Sequence, residues 1–203
     1  MRVVVFDLET RLLAKHLSED EAYGWVLLKA GEGGISACCV YDFTDNWLYM
    51  YDEKSIKALA AHLERADVVV GFRSESFDVP VVEGVLGRRL RLREHLDLYA
   101  CIARANAALG LIGQRGDNTL DAVCRRNIGR GKTGSGAHAP DLYSERRFGE
   151  LFDYCAQDVR LTKDLYLHVV EHGRIRNFTG SNLTLALPAQ VSRGLNVRHK
   201  LPD

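Results

Sequence analysis

Asp7 and Glu9 stand two residues apart at the end of the run Val3-Val4-Val5-Phe6-Asp7-Leu8-Glu9-Thr10. A β-branched apolar run reads as a buried strand, and positions i and i+2 of a strand face the same way. Two carboxylates side by side at the end of a buried strand repel each other. The usual relief is a pairing charge or a divalent cation. Two further acidic positions follow. Asp78 lies in Gly71-Phe72-Arg73-Ser74-Glu75-Ser76-Phe77-Asp78-Val79-Pro80, at a change from strand to helix. Asp158 lies in Tyr154-Cys155-Ala156-Gln157-Asp158, where Tyr154 and Asp158 are i and i+4 and share one helix face. An all-oxygen cluster of Asp7, Glu9, Asp78 and Asp158 suits Mg²⁺ or Mn²⁺. A pair of such ions about 3.5–4 Å apart stabilises the attacking and leaving oxygens of phosphodiester cleavage. The Tyr154 hydroxyl would then orient a metal-bound water.

Several elements must bring these residues together. Residues 2–7 read as the first strand, 24–30, 34–43 and 47–51 as further strands, and Asp67 to Phe72 as another buried strand. Lys54 to Arg65 has the apolar spacing of an amphipathic helix, through Ile56, Leu59, Ala60 and Leu63. A helix starts near Phe77 and runs to Leu86. Asp97 is placed to cap another near 98–108, and Asn118-Thr119 a short one to Arg126. After a glycine-rich loop from Gly129 to Ala139, a long helix is expected from Glu145 to His172, ended by Gly173. Its apolar stripe is Leu151, Cys155, Val159, Thr162, Leu165, Tyr166 and Val169, next to the face of Tyr154 and Asp158. Strands first and then strand and helices in alternation indicate a mixed α/β sheet of about five strands flanked by helices. Residues 174–203 are polar apart from 183–187 and read as an extended or loosely packed tail.

The 203 residues suit one domain over 1–173 with that tail. The five cysteines, at 38, 39, 101, 124 and 155, show neither zinc nor redox spacing. They are expected reduced and mostly buried, as in a cytoplasmic protein. The four apolar residues before Asp7 are too few for a signal peptide, and no run suits a membrane span. The formal net charge is zero, but residues 1–87 carry 8 Lys+Arg against 15 Asp+Glu, and residues 88–203 carry 19 against 12. Such asymmetry points to a surface that meets an anion.

The order Asp7-Leu8-Glu9-Thr10, Phe77-Asp78-Val79-Pro80 and Tyr154-x-x-x-Asp158 resembles the three motifs of the tyrosine-type DEDD 3′–5′ exonucleases of the RNase H-like superfamily. The likeness covers residues 2–170 and is nearest to the group related to the proofreading domain of family B DNA polymerases. Gly129-Arg130-Gly131-Lys132-Thr133-Gly134 adds to it. The resemblance implies an RNase H-like fold and two Mg²⁺ or Mn²⁺ ions on Asp7, Glu9, Asp78 and Asp158. It implies that Tyr154 positions the water, and that Thr10 and Phe77 line the terminal nucleotide. The substrate would be the 3′ end of single-stranded DNA, with RNA open, and the partner a helicase or polymerase. Relatives often carry Asn where this chain has Arg73, which would contact a phosphate or redirect the strand. A module that binds nucleic acid without cleaving it is the second reading.

Other patterns are weaker. Gly131-Lys132-Thr133 lacks the preceding glycine and strand of a P-loop. Its lysine, with Arg125, Arg126 and Arg130, reads either as a flexible connection or as a basic loop that touches phosphates. His168-Val169-Val170-Glu171-His172 has the H-x-x-E-H spacing of a zinc site, but sits at a helix end, where histidine is favoured for other reasons. Arg88, Arg89, Arg91 and Arg93 read as a solvated face or a strip that meets a nucleic-acid backbone.

Overall fold

The computed structural model describes residues 1–114, 116–132, 139–188 and 191. Strand β1 (Val3–Thr10) pairs antiparallel with β2 (Ile35–Asp42), and β2 antiparallel with β3 (Trp47–Tyr51). On its other side β1 pairs parallel with β4 (Val68–Gly71), and β4 with β5 (His95–Asp97). The order is therefore β3-β2-β1-β4-β5, the expected mixed sheet with β1 at its centre.

The helices follow in chain order. They are α1 (Ala14–Leu17), α2 (Glu21–Lys29), α3 (Ile56–Arg65), α4 (Asp78–Leu86), α5 (Leu98–Ala108), α6 (Leu120–Ile128), α7 (Ala139–Ser144) and α8 (Phe148–His172). The alternation of side chains along β1 splits them into two layers. Val4, Phe6 and Leu8 pack with Leu59 and Leu63 of α3 and Val81 and Val82 of α4. Val3 and Val5 pack with Ile102 of α5, Cys124 of α6 and Leu151, Val159 and Leu165 of α8. Asp7 and Glu9 continue the second set, so they face α8. Burying one Leu or Val completely is worth about 1.5–3 kcal/mol. The stripe Leu151, Val159, Leu165 and Val169, all at 0 % exposure, therefore holds α8 firmly on the sheet. Among the described residues, no helix is long and apolar enough to cross a membrane.

Four local expectations differ. Of residues 24–30, expected as a strand, 24–29 belong to α2 and Ala30 is its C-cap. The Asp20 carboxylate caps that helix by accepting from the Ala22 and Tyr23 N–H groups, at 2.9 and 3.2 Å. The apolar run Trp25-Val26-Leu27-Leu28 buries only Leu28 fully, as one face of a surface helix does. The fifth strand is instead the three-residue β5, too short for a visible alternation. The long helix begins at Phe148 rather than Glu145, because Arg146 has φ 59° and breaks the chain between α7 and α8. The stretch from 174, expected to be extended or loosely packed, forms the hairpin β6 (Arg174–Arg176) and β7 (Asn182–Thr184). Ile175, Leu183, Leu185 and Val191 enter the core on the α8 side.

That packing is testable. Leu183→Ala should destabilise the protein by about 2–5 kcal/mol in urea denaturation, as truncation of a buried leucine does. A stability equal to the parent's would mean that the hairpin is not part of the core.

Candidate metal centre

The site lies where β1 ends. Between Glu9 and Thr10 the register slips, so that Glu9 faces Ala37 while Thr10 faces Ile35. A bulge of this kind bends the strand and re-aims its side chains. Thr10 turns into the structure and its hydroxyl donates to the Leu12 carbonyl at 2.7 Å. Opposite, α8 supplies Asp158. One carboxylate oxygen from each of Asp7, Glu9 and Asp158 lies within 4.8 Å of the others. The Cys155 thiol locks the helix to the strand by donating to the Asp7 carbonyl, 3.3 Å away.

Asp78 arrives from the other layer, at the first turn of α4. It is 4 % exposed, and its Oδ1 accepts from the Leu8 N–H at 3.1 Å, which ties α4 to β1 between Asp7 and Glu9. The loop before it is shaped by three contacts. A Cβ at Gly71 would collide with the Ser74 hydroxyl, so glycine is required there. That hydroxyl hydrogen-bonds His95 Nε2 at 2.9 Å. Asp97 caps α5 through the Ala100 N–H and also accepts from the Arg73 and Glu75 N–H groups, both at 2.9 Å. The expected cap is thus also the anchor of the loop that carries Phe77 and Asp78.

The third wall comes from Lys132. Its ammonium donates to Asp158 Oδ2 at 2.5 Å and to the Tyr154 hydroxyl at 3.0 Å. The sequence reads this lysine as part of a flexible connection or of a basic loop that touches phosphates. No spacing signals its contacts with Asp158 and Tyr154, because they join a loop to a helix. Lys132 can only donate, so the Tyr154 oxygen accepts from it, and the phenol's own proton serves the Asp158 carboxylate.

Burial dominates the electrostatics. Burial, then the charges of Asp78, Asp158 and Glu9, hold the Asp7 carboxyl well above the usual range. Burial and the Asp158 charge do the same for Glu9. Asp78 is pushed up to about 7 by burial, against the Leu8 N–H, with Asp97 and Asp158 adding to the rise. Burial raises Asp158 too, opposed by Lys132. For Lys132, burial disfavours the charge, but Asp158 and the Tyr154 hydroxyl outweigh it and the amine stays protonated. Burial and Asp158 keep Tyr154 a neutral phenol.

Asp158 Oδ1 is buried without a hydrogen-bond partner among the described residues. A hard divalent cation supplies what that atom and its two anionic neighbours lack. Among the described residues, Asp7, Glu9 and Asp158 form the one group of three side chains able to hold an ion. His168 and His172 instead meet edge-on, with ring centroids 4.4 Å apart. Arg125 pairs with Asp121, Arg126 donates to the Asp117 carbonyl, and Arg130 pairs with Asp164. Arg88, Arg89 and Arg93 are likewise paired, with Glu64, Glu83 and Asp67. Thr133 and Gly134 of the glycine-rich stretch lie outside the described residues.

Phe77 and Arg73 lie on the stretch between β4 and Asp78. The Phe77 ring meets Trp25 edge-on at 5.9 Å, a partner hidden from sequence reasoning by the reading of 24–30 as a strand. Arg73 has φ 65° and lays its guanidinium over the Tyr99 ring, 4.2 Å from the centroid.

Comparison with known proteins agrees with this architecture. The family model RNase_H_2, described as RNase_H superfamily, matches residues 4–170. Among solved structures, the family B DNA polymerase from the hyperthermophilic archaeon Pyrobaculum calidifontis is similar, with a TM-score of 0.60 and 20 % identity. The match covers 83 % of this chain and 24 % of that polymerase chain, so this chain spans about a quarter of its length. A search of the curated proteins finds no match.

The raised carboxyl pKa values make stability depend on pH. Carboxyl groups of the unfolded chain titrate near pH ~4, whereas Asp78 holds its proton to about 7 in the folded one. The folded state thus binds more protons between these values, and stability falls as pH rises through them. Without divalent ions, the melting temperature should be lower at about pH 8 than at about pH 5, and Mn²⁺ should raise it more at the higher pH. Thermal melts in EDTA and in Mn²⁺ check this. No response to Mn²⁺ at the higher pH would count against a metal centre.

Proposed function

The chain belongs to the RNase_H superfamily, and from that premise we propose that it is a metal-dependent 3′–5′ exonuclease acting on single-stranded ends, DNA first and RNA second. The observation that carries the reading is the convergence of Asp7, Glu9 and Asp158 within 4.8 Å, with Asp78 beside them. Mg²⁺ or Mn²⁺, two ions held by these four carboxylates, would supply Lewis-acid stabilisation of the phosphate and a water of lowered pKa.

The chain's own residues do the rest. Tyr154, fixed by Lys132 and Asp158, keeps one lone pair of its hydroxyl oxygen for the reacting water. Lys132 balances the charge of Asp158 and adds a positive field where the phosphate gains negative charge. Phe77, steadied by Trp25, offers a ring to the terminal base, and Thr10 closes the floor beneath the sugar. Arg73 holds the strand on the far side of the loop. The direction comes from the motif resemblance: a 3′ end seated against Phe77 and Thr10 would present its last phosphodiester to the cluster.

Lys132 also supports the second reading, a binding module without turnover, because its ammonium occupies an oxygen of Asp158. One assay separates the two. A 5′-labelled single-stranded oligonucleotide, as DNA and as RNA, is incubated with Mg²⁺, Mn²⁺ or EDTA beside Asp7→Ala. The expected result is a ladder that shortens from the 3′ end and disappears with EDTA and with the variant. Binding without metal-dependent shortening would establish the module instead. Lys132→Ala should lower kcat about 10²–10³-fold, as loss of one charge-stabilising donor does. An unchanged kcat would remove Lys132 from the site.

A further inference from the structure

Away from the carboxylate cluster, an open groove of about 400 Å³ lies between α2, α4 and the turn that follows α4. Its lining is Lys29, Pro80, Glu83, Gly84, Arg88 and Arg89. The two helices meet there main chain to main chain, because a Cβ at Gly84 would stand 2.3 Å from the Ala30 carbonyl carbon. The floor of the groove is therefore set by backbone that cannot give way. Its one carboxylate is already satisfied. Glu83 accepts from Arg89 Nη1 at 2.7 Å and from the Leu90 N–H at 2.9 Å. Arg88 commits both terminal nitrogens to Glu64. Two cations keep open donors. Lys29 is exposed and its ammonium has no partner among the described residues. Arg89 is 89 % exposed and pairs through Nη1 alone, which leaves Nε and Nη2.

The groove continues from the site along two elements. Trp25, which meets Phe77, and Lys29 are i and i+4 on one face of α2. Asp78 opens α4 and Arg88 and Arg89 follow its end. At 1.5 Å per residue they stand on the order of 15 Å from Asp78. Open cationic donors on a fixed floor suit phosphate oxygens. No lining side chain is aromatic. A single strand exposes its bases and is held by stacking, whereas a paired strand hides its bases and offers its backbone. The distance also suits a second strand, since the major groove sets the two backbones of a duplex ~12 Å apart. The strand to be cut passes Arg73, which lies over Tyr99 of α5, in the layer of α8. The groove opens in the other layer, beside α4. We propose that this groove seats phosphates of the complementary strand when the 3′ end at the cluster frays from a duplex, with Lys29 and Arg89 as the contacts. The proposal rests on the nuclease reading and extends its substrate from free single strands to duplex ends.

The test compares one strand alone with the same strand annealed to a complement that leaves a short unpaired 3′ end. Lys29→Gln and Arg89→Gln change exposed side chains on two different elements. Kd is read by fluorescence anisotropy in EDTA from about 50 to about 200 mM salt, and KM and kcat by degradation in Mn²⁺. On the duplex, each variant should make the slope of log Kd against log salt shallower by about one, the mark of one lost phosphate contact. Each should also raise KM there, with kcat unchanged. On the single strand, slope and KM should equal the parent's, which shows at once that the variants fold. An equal change on both substrates overturns the proposal, because the groove then serves the strand that is cut. An unchanged slope on the duplex overturns it too and, with shortening intact, leaves the nuclease standing. A change of slope confined to the duplex, without metal-dependent shortening of either substrate, supports the groove and removes the nuclease.

Discussion

Like charges held together out of water are the constraint on which this molecule is organised. Asp7, Glu9 and Asp158 would separate if they were free to do so, since each makes ionisation of the others harder. They stay because each is fixed by something stronger than their repulsion. Asp7 and Glu9 belong to the central strand of the sheet, paired on both sides. Asp158 belongs to a helix fastened by a fully buried apolar stripe. The local discomfort is offset by the packing of both layers, and it makes the site receptive to positive charge. Lys132 already answers part of that demand, leaving one oxygen of Asp158 open.

The loop from Phe72 to Phe77 shows the same economy. Asp97 closes β5, caps α5 and receives two backbone N–H groups of the loop. One carboxylate thus fixes the position of Asp78 on one side and the left-handed turn at Arg73 on the other. Asn or Asp adopts φ near +60° more easily than a long side chain does. The Asp97 contact holds Arg73 there, and its stack on Tyr99 exploits the geometry.

Most of the architecture was legible because it rests on period and on punctuation. The valine run of β1, the stripe of α8 and the αL glycine at 173 are local signals with a mechanism, and the carboxylates sit where those signals put them. Other features failed for equally physical reasons. Trp25-Val26-Leu27-Leu28 looks like a buried strand until Asp20 is recognised as a cap. His95–Asp97 is too short to show alternation. Ile175 is a single apolar residue in polar surroundings and Leu183 opens a short apolar patch, and only a hairpin brings them to one side. The pairing of Lys132 with Asp158 and Tyr154 is a tertiary fact that no local pattern carries.

The carboxylates at 7 and 158 are neighbours in space and almost as far apart as the described chain permits in sequence. Between them the chain must cross the sheet, build both helical layers and return. No fragment holding only one of these ends contains the carboxylate cluster, and no early compact intermediate that lacks α8 against β1 can have it. Contacts of such long separation form late, once the closure entropy has been met. The carboxylate cluster is therefore a property of the completed fold, and a chain caught partway through folding or unfolding lacks it.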